Sequence, residues 1–344
     1  MKMANRSARG YSRHVFVVVI LVVTVVFPLM ALFSSPSEKP RLTPPVLPFQ
    51  SSKLDGDSIG QVQFTDPRRL PIPDPVCDCK CKLKLESEEE EASAQETEER
   101  SKAFETIFTT DFWGGGESRS GPGSRIDYTV NVRKLIAHAL KEYDVGHVLD
   151  APCGDVNWQP LIEGFNSTRY TGYDIVPQII QQNTERFRGW QNMDFARVDF
   201  VNTPIPINPD LIVCRDGIQH NTLKDGVRGF CNLEASRAKY LVTNWHTETG
   251  RGPVPDNDIN INIPFGGAYP INVFTHPFNF SMPEFFISEG LNGVNGDGKL
   301  VGVWKLPALW KGDGKRFQIP VSLSERVRGE VISIADVEAA SRSV

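Results

Sequence analysis

Cysteine is scarce in this 344-residue chain, six in all, and three of the six crowd into Cys77-Asp78-Cys79-Lys80-Cys81. The fold is therefore not built on a disulfide framework. The C-x-C-x-C run matches none of the usual ligand spacings of a metal centre, so no metal is expected. No Lys/Arg stripe accompanies the aromatic residues, which disfavours nucleic acid as a ligand. No G-x-G-x-x-G follows a strand-like run, which excludes the usual dinucleotide site. Net charge is small as well, at −5. The stretch Glu86 to Glu99 holds eight glutamates and no base, so removing those eight charges leaves the rest of the chain at +3. The acidity is local, says nothing of a substrate, and reads as a solvated or partly helical spacer.

Long apolar runs are also lacking, with one exception. Val15 to Phe33 is 19 residues without a charge, about 28 Å as a helix against a bilayer core of about 30 Å. Lys2, Arg6, Arg9 and Arg13 precede it and Ser34-Ser35-Pro36-Ser37-Glu38 follow it. That bias keeps residues 1–14 cytosolic and sends the rest across the membrane. The run exceeds the 7–15 residues of a signal-peptide core, so an uncleaved single-pass type II anchor at 15–33 is favoured over a cleaved signal or an organelle presequence. Ser34 to Val76 then carries nine prolines and no sustained period, a composition too poor in apolar surface to offset chain entropy. Residues 34–101 thus read as an extended stem. Cys77, Cys79 and Cys81 lie in it, and in an oxidising lumen disulfides, including a disulfide-linked homodimer, are favoured over free thiols or lipidation.

From residue 102 to 310 strand-like and helix-like segments alternate. Short apolar runs open at His147, Tyr170, Asp194, Asp210 and Ala238, and each ends in a polar residue. Helix-length segments lie between them, such as Val176 to Phe187 and Thr222 to Arg237, and Val130 to Tyr143 has helical spacing of Val132, Ile136, Ala139 and Leu140. Alternation of this kind implies an open α/β sheet, mostly parallel, with ligands at the carboxyl ends of its strands. Asp150-Ala-Pro-Cys-Gly154-Asp155 is the first strand-to-helix turn. Its glycine lets backbone approach a ligand, and its acid can bind a cation. Asp174, twenty residues beyond Gly154, ends the second run and suits the two hydroxyls of a ribose. A ribose-bearing ligand without a diphosphate is the chemical inference. Cys153 reads as a packing residue in the turn, not as a nucleophile.

These runs, with Asp194 to Phe200, Asp210 to His220 and Lys239 to Asn244, resemble the class I S-adenosylmethionine-dependent methyltransferases. In particular they are similar to a branch with a Trp-Gly-Gly-x-Glu-Ser-x-Ser-Gly-x-Gly-Ser leader. Trp113-Gly-Gly-Gly-Glu-Ser-Arg-Ser-Gly-Pro-Gly-Ser124 supplies that leader with one extra glycine. Asn257-Asp-Ile, Asn272, Pro277-Phe278 and Lys299-Leu-Val-Gly-Val-Trp304-Lys-Leu look like the same branch's late loop and last strand, so the likeness spans about residues 112–306. It implies a Rossmann-like, mostly parallel seven-stranded sheet with helices on both faces. It also implies S-adenosylmethionine as cofactor, with Asp150 and Gly154 at its methionine end, Asp174 at its ribose, and Asp199 with Phe200 at its adenine. The first motif carries Pro-Cys where acidic-x-Gly-x-Gly is commoner, which leaves the backbone contacts open.

Methyl transfer to a hydroxyl needs an in-line acceptor and a base at a strand's carboxyl end. Asp216 and His220 fill that place, either being the base and the other, or Arg215, orienting it. Glu117, Arg119, Arg215, Asn244 and Asp258 are acceptor-binding candidates. The long segment from His246 to Met282, with Trp245, Phe265, Tyr269 and Phe274, reads as an acceptor lid whose rings and amides suit a sugar.

A cytosolic tail, one span, a proline-rich stem and a lumenal domain resemble the plan of Golgi glycan-modifying enzymes. Asn166-Ser-Thr and Asn279-Phe-Ser would then be glycosylation sequons. The leading expectation is O-methylation of a secretory glycan. Its rivals are a membrane-tethered small-molecule or lipid methyltransferase, and an anchored binding protein that does no chemistry. Residues 311–344 form a C-terminal extension, partly helical over Ser324 to Ser343. Non-reducing electrophoresis is expected to show a dimer that reductant collapses; a single monomer band would contradict interchain pairing through the Cys77 cluster.

Overall fold

The computed structural model describes residues 87–114, 116–247, 260–289, 298–315 and 317–342. The expected anchor at 15–33, the proline-rich part of the stem, the Cys77 cluster and Asp258 lie outside them. Among the described residues no helix is long and apolar enough to cross a membrane.

Eight strands form one sheet in the order β3-β2-β1-β4-β5-β7-β6-β8. They are β1 His147–Asp150, β2 Arg169–Asp174, β3 Met193–Arg197, β4 Leu211–Cys214, β5 Tyr240–His246, β6 Phe285–Ser288, β7 Lys299–Lys305 and β8 Ile332–Ser333. The first five are parallel, and β7 enters antiparallel between β5 and β6. The chain steps outward from β1 through β2 to β3, then returns to lay β4 and β5 on the other side. That reversal opens a crevice above the carboxyl ends of β1 and β4. Period-two alternation feeds two cores: Val148, Val213 and Val242 face one side of the sheet, and Leu149, Ile212 and Leu241 the other.

Helices cover both faces. In α2 (Val130–Glu142) the buried residues Val132, Leu135, Ile136, Ala139 and Leu140 recur at helical spacing, giving one apolar stripe. Pro177 opens α3 (Pro177–Arg186), where its missing N–H costs nothing. Thr222 caps α4 (Leu223–Ala235): its hydroxyl accepts from the Asp225 N–H at 3.1 Å and donates to the Asp225 carboxylate at 2.8 Å.

The structure corrects the expected fold in three places. The sheet has eight strands, not seven, because β8 pairs with β6. Residues beyond 310 belong to the domain: Phe317, Leu323, Val327 and Ile332 are buried in the core, as is Val337 of α5 (Ile334–Arg342). The boundary drawn at residue 102 falls inside α1 (Ser87–Thr110). Arg100 and Ser101, assigned to the stem from sequence, are buried at 2% exposure. Arg100 pairs with Asp199, lies 3.1 Å from Asp225, and sits 4.9 Å over the Phe265 ring. Farther along α1, Phe108 packs with Val176 and Ile179, and Phe104 borders that cluster.

Arg100 is therefore the residue that fastens α1 to the domain. Arg100→Met would leave the Asp199 carboxylate buried without its cation and Asp225 with only Arg228 at 3.8 Å, a change that costs about 3–5 kcal/mol. A clear drop in thermal midpoint is expected for that variant by circular dichroism; an unchanged midpoint would contradict the assignment.

Candidate active site

The crevice at the carboxyl ends of β1, β2 and β4 is a cleft enclosing about 910 Å³, including the part open to solvent. Its floor is strand ends and its roof is α1 with the 113–124 leader. Asp150 ends β1 at 2% exposure. Its Oδ2 accepts from the Tyr170 hydroxyl at 2.7 Å and from Gln159 Nε2 at 2.8 Å, both neutral donors. Burial without a paired cation pushes its pKa up to about 7, against these two hydrogen bonds. Asp174 ends β2 in the same condition. Its oxygens accept from the N–H groups of Gly154 at 3.1 Å and Val176 at 2.9 Å, and burial raises its pKa to about 6. Sequence placed both acids at this edge, and the structure brings them together through Gly154.

Gly154 has φ +57°, a conformation that favours glycine, and a Cβ there would collide with the Ser120 hydroxyl. The leader reaches this point because Asp155 pins it. The Asp155 carboxylate accepts from the Ser118 hydroxyl at 2.9 Å, the Arg119 N–H at 2.9 Å and the Ser120 hydroxyl at 3.1 Å. Cys153 lines the turn with its thiol pKa raised well above normal, first by burial, so it packs rather than attacks. Glu117, expected to bind acceptor, instead closes the leader, accepting from the Ile126 N–H at 2.8 Å and Asn157 Nδ2 at 2.6 Å on the outer surface. Arg119 does line the cleft.

At the third strand the expectation is half met. Phe200 lines the cleft, admitted by Gly229 of α4, where a Cβ would stand 2.9 Å from the ring. Asp199 also lines it, but its carboxylate is engaged: Arg100 pairs with it and the Thr97 hydroxyl donates at 2.8 Å. Its Oδ2 thus holds α1, while Oδ1 accepts from the Val201 N–H at 3.1 Å.

After β4 the chain turns sharply, with Asp216 at φ +54°. Arg215 donates to Glu289 through two nitrogens, at 3.1 and 2.8 Å, and to the Gly123 carbonyl at 2.8 Å, so it is committed to the frame and the leader. Lys299 Nζ lies 2.6 Å from Asp216 and 2.9 Å from Glu289, closing a buried quartet. Asn244 stands behind, accepting from the Asp216 N–H at 2.8 Å, and is not an acceptor ligand. Burial pushes the Asp216 carboxyl up, but Arg215 and Lys299 outweigh it and hold its pKa far below the usual range. A carboxylate held ionised by two cations is a poor proton acceptor, which favours His220 over Asp216 as the candidate base.

His220 keeps its candidacy. It ends the turn Ile218–His220 and lines the cleft, with its ring 4.7 Å from that of Trp113. Its Nδ1 lies 2.7 Å from the Gly267 carbonyl, which can only accept, so Nδ1 carries the proton and Nε2 the lone pair. Burial lowers its pKa below 6.5, partly offset by the Gly267 hydrogen bond, leaving the imidazole neutral near pH 7. Residues 248–259 of the expected lid lie outside the described residues; of its aromatic residues, Trp245, Tyr269 and Phe274 are buried in the core, and Phe265 lies under Arg100.

Sequence reasoning missed Arg100, Phe104, Phe108, Glu289 and Lys299. Phe104, Ile107 and Phe108 stand at i, i+3 and i+4, a helical stripe legible in the sequence and hidden by the glutamate run before it. Glu289 follows a four-residue strand, and nothing local in the sequence marks it.

No protein-family model matches the chain, and no curated protein is significantly similar to it. Among solved structures it is similar to the methyltransferase domain of bacterial CtHen1-CN, at 15% identity over 51% of this chain and 98% of that one, TM-score 0.38. It is similar to the N-methyltransferase NodS from Bradyrhizobium japonicum WM9 in complex with S-adenosyl-L-homocysteine, at 14% identity over 54% and 91%, TM-score 0.39. A third is magnesium protoporphyrin IX methyltransferase ChlM from Synechocystis PCC 6803, at 13% identity over 33% and 54%, TM-score 0.29, so the chain spans about half of that protein. At these identities and TM-scores the likeness assigns neither activity nor substrate to this chain.

Proposed function

We propose that this chain is an S-adenosylmethionine-dependent methyltransferase that methylates a hydroxyl of a secretory-pathway glycan. The observation that carries the cofactor is the pair Asp150 and Asp174, two buried carboxylates that form no ion pair among the described residues, at adjacent strand ends of one cleft. Burying a charge without a partner is unfavourable in the empty protein. The donor set fits the cofactor: Asp150 suits the α-ammonium, Asp174 the ribose diol, and Phe200 with Phe104, Ile175 and Val176 a flat purine.

When bound, S-adenosylmethionine supplies an electrophilic methyl group on a sulfonium, so transfer breaks one S–C bond, forms one O–C bond and leaves S-adenosylhomocysteine. The chain's own part is to orient the acceptor and take its proton. His220 Nε2 accepts the hydroxyl proton as the O–C bond forms, and a neutral imidazole is ready to do so near pH 7. Trp113 against the ring and the Gly267 carbonyl on Nδ1 fix the tautomer and the orientation. The quartet of Arg215, Asp216, Glu289 and Lys299 holds the turn from which His220 projects.

The glycan acceptor, the Golgi lumen and the type II anchor rest on the charge-free run at 15–33 and the proline-rich stem. Asn166 is exposed before β2, at the end of the sheet away from the cleft, so a glycan there would leave the site open. A tethered small-molecule or lipid methyltransferase remains the rival for the acceptor. A non-catalytic binding protein is the rival for the chemistry, and the neutral, cleft-facing His220 argues against it.

Calorimetry with S-adenosylmethionine on the full-length chain, paired with mass spectrometry of cellular glycans, tests both levels. Wild type is expected to bind the cofactor, and its glycans to carry a methyl that is missing without the gene. His220→Gln should keep affinity for S-adenosylhomocysteine and lower glycan methylation about 10²–10⁴-fold. Absence of cofactor binding by wild type would overturn the methyltransferase reading. Unchanged methylation in the variant would remove His220 as the base.

A further inference from the structure

Asn166 and Asn279 both head Asn-x-Ser/Thr sequences, and the fold treats them differently. Asn166 is exposed in the short turn Phe165–Ser167, just before β2. That turn is braced from one side: Asn192 Nδ2 donates to the Phe165 carbonyl at 3.2 Å and to the Thr168 carbonyl at 2.9 Å, so its two bonds bracket Asn166. Two residues before Asn192 stands Trp190, 37% exposed, with its ring centre 6.3 Å from that of Phe165. An exposed ring alone is ordinary. This one lies against the turn that presents Asn166.

Asn279 is in the opposite situation. It is half-buried between Phe278 and Phe280, both fully buried, and has φ +45°. Its N–H donates to the Thr275 carbonyl at 3.1 Å, and its carbonyl accepts from the Gly312 N–H at 2.8 Å. A Cβ on Gly314 would stand 3.5 Å from its Oδ1, so residues 312–314 run beside the amide. A sugar on this amide would have to displace that chain.

We propose that Asn166, and not Asn279, carries an N-linked glycan whose first sugar packs on Trp190. The inference rests on the lumenal orientation in the reading above and goes beyond it by assigning the modified residue and the surface that receives the sugar. The co-reactant is a lipid-linked oligosaccharide diphosphate: the bond from Asn166 Nδ2 to the sugar C1 forms, the bond from C1 to the diphosphate oxygen breaks, and the amide gives up one proton. Transfer precedes folding, because in the folded turn Thr168 is 4% exposed and its hydroxyl is engaged, donating to the Gly164 carbonyl at 3.1 Å. Once the chain folds, the apolar face of a pyranose stacks on an aromatic ring, and Trp190 offers one beside the attachment point. That contact removes indole surface from water and stabilises the folded state.

The test uses the full-length chain made in a eukaryotic cell, as wild type, Asn166→Gln, Asn279→Gln, Trp190→Ala and the Asn166→Gln, Trp190→Ala double variant. Peptide N-glycosidase is expected to shift wild type and Asn279→Gln to the mobility of Asn166→Gln, which it leaves unchanged. A shift that survives in Asn166→Gln overturns the proposal. So does the absence of any shift in wild type whose folded domain is protected from protease in sealed microsomes. Digestion of the domain in those microsomes sinks the lumenal reading itself, and this proposal with it, which sets the two failures apart. Thermal midpoints read the contact: Asn166→Gln should lower the midpoint by about 2–4 °C with Trp190 present, the scale of one aromatic contact in a domain of this size, and leave it unchanged in Trp190→Ala. An equal drop in both backgrounds, or none in either, overturns packing on Trp190. The mobility readout stands even where Trp190→Ala fails to fold.

Discussion

Everything at the edge of the cleft turns on two carboxylates that, among the described residues, have donors but no ion-pair partner. Asp150 and Asp174 end neighbouring parallel strands, so their separation is set by strand spacing and their direction by the sheet. Tyr170, Gln159 and two backbone N–H groups satisfy part of their oxygens. Hydrogen bonds orient a carboxylate without cancelling its charge, and burial then raises both pKa values toward neutrality. Such a pair is unfavourable for the ligand-free fold and favourable for a cationic ligand, which is the sense in which stability is given up for binding.

Around this pair the other charges are neutralised in place, and each pairing holds an element. Arg100 fastens α1 through Asp199 and Asp225, while Arg215 ties the β4 turn to β6 through Glu289 and to the leader through the Gly123 carbonyl. Asp155 fixes the leader by hydrogen bonds alone. A network of this kind adds little net stability over an apolar core. Its consequence here is geometric: roof, floor and the turn that carries His220 are locked to one another while Asp150 and Asp174 are left unpaired among the described residues.

Much of this plan was legible in the sequence where chemistry and local pattern coincide. Strand ends at Asp150, Asp174 and Cys214 followed from short apolar runs closed by polar residues, and the Asp150 to Asp155 turn from its glycine and acids. His220 was legible as a candidate, but its choice over Asp216 was not. Arg215 stands next to Asp216 in the sequence, but the Lys299 charge that joins it arrives from β7, through a contact that no local window contains. The engagement of Asp199 with α1 was hidden for the same reason, since Arg100 and Thr97 lie about a hundred residues away. The aromatic residues Trp245, Tyr269 and Phe274 show the opposite limit, because composition cannot separate a ring that stacks on a sugar from one that fills a core. The boundary at 102 failed because eight glutamates masked the Phe104, Ile107 and Phe108 stripe.

The central claim is that Asp150 awaits the cofactor's ammonium and Asp174 its ribose diol, and it has a direct thermodynamic signature. A cationic ligand that docks on carboxylates titrating at about 7 and about 6 must expel the protons they carry. Titration of the full-length chain with S-adenosylmethionine near pH 6.5, in buffers of different ionisation enthalpy, measures that number. The account predicts proton release near pH 6.5 that fades toward zero as the pH is raised well above 7. Binding with no proton release at pH 6.5, or with uptake, would contradict it.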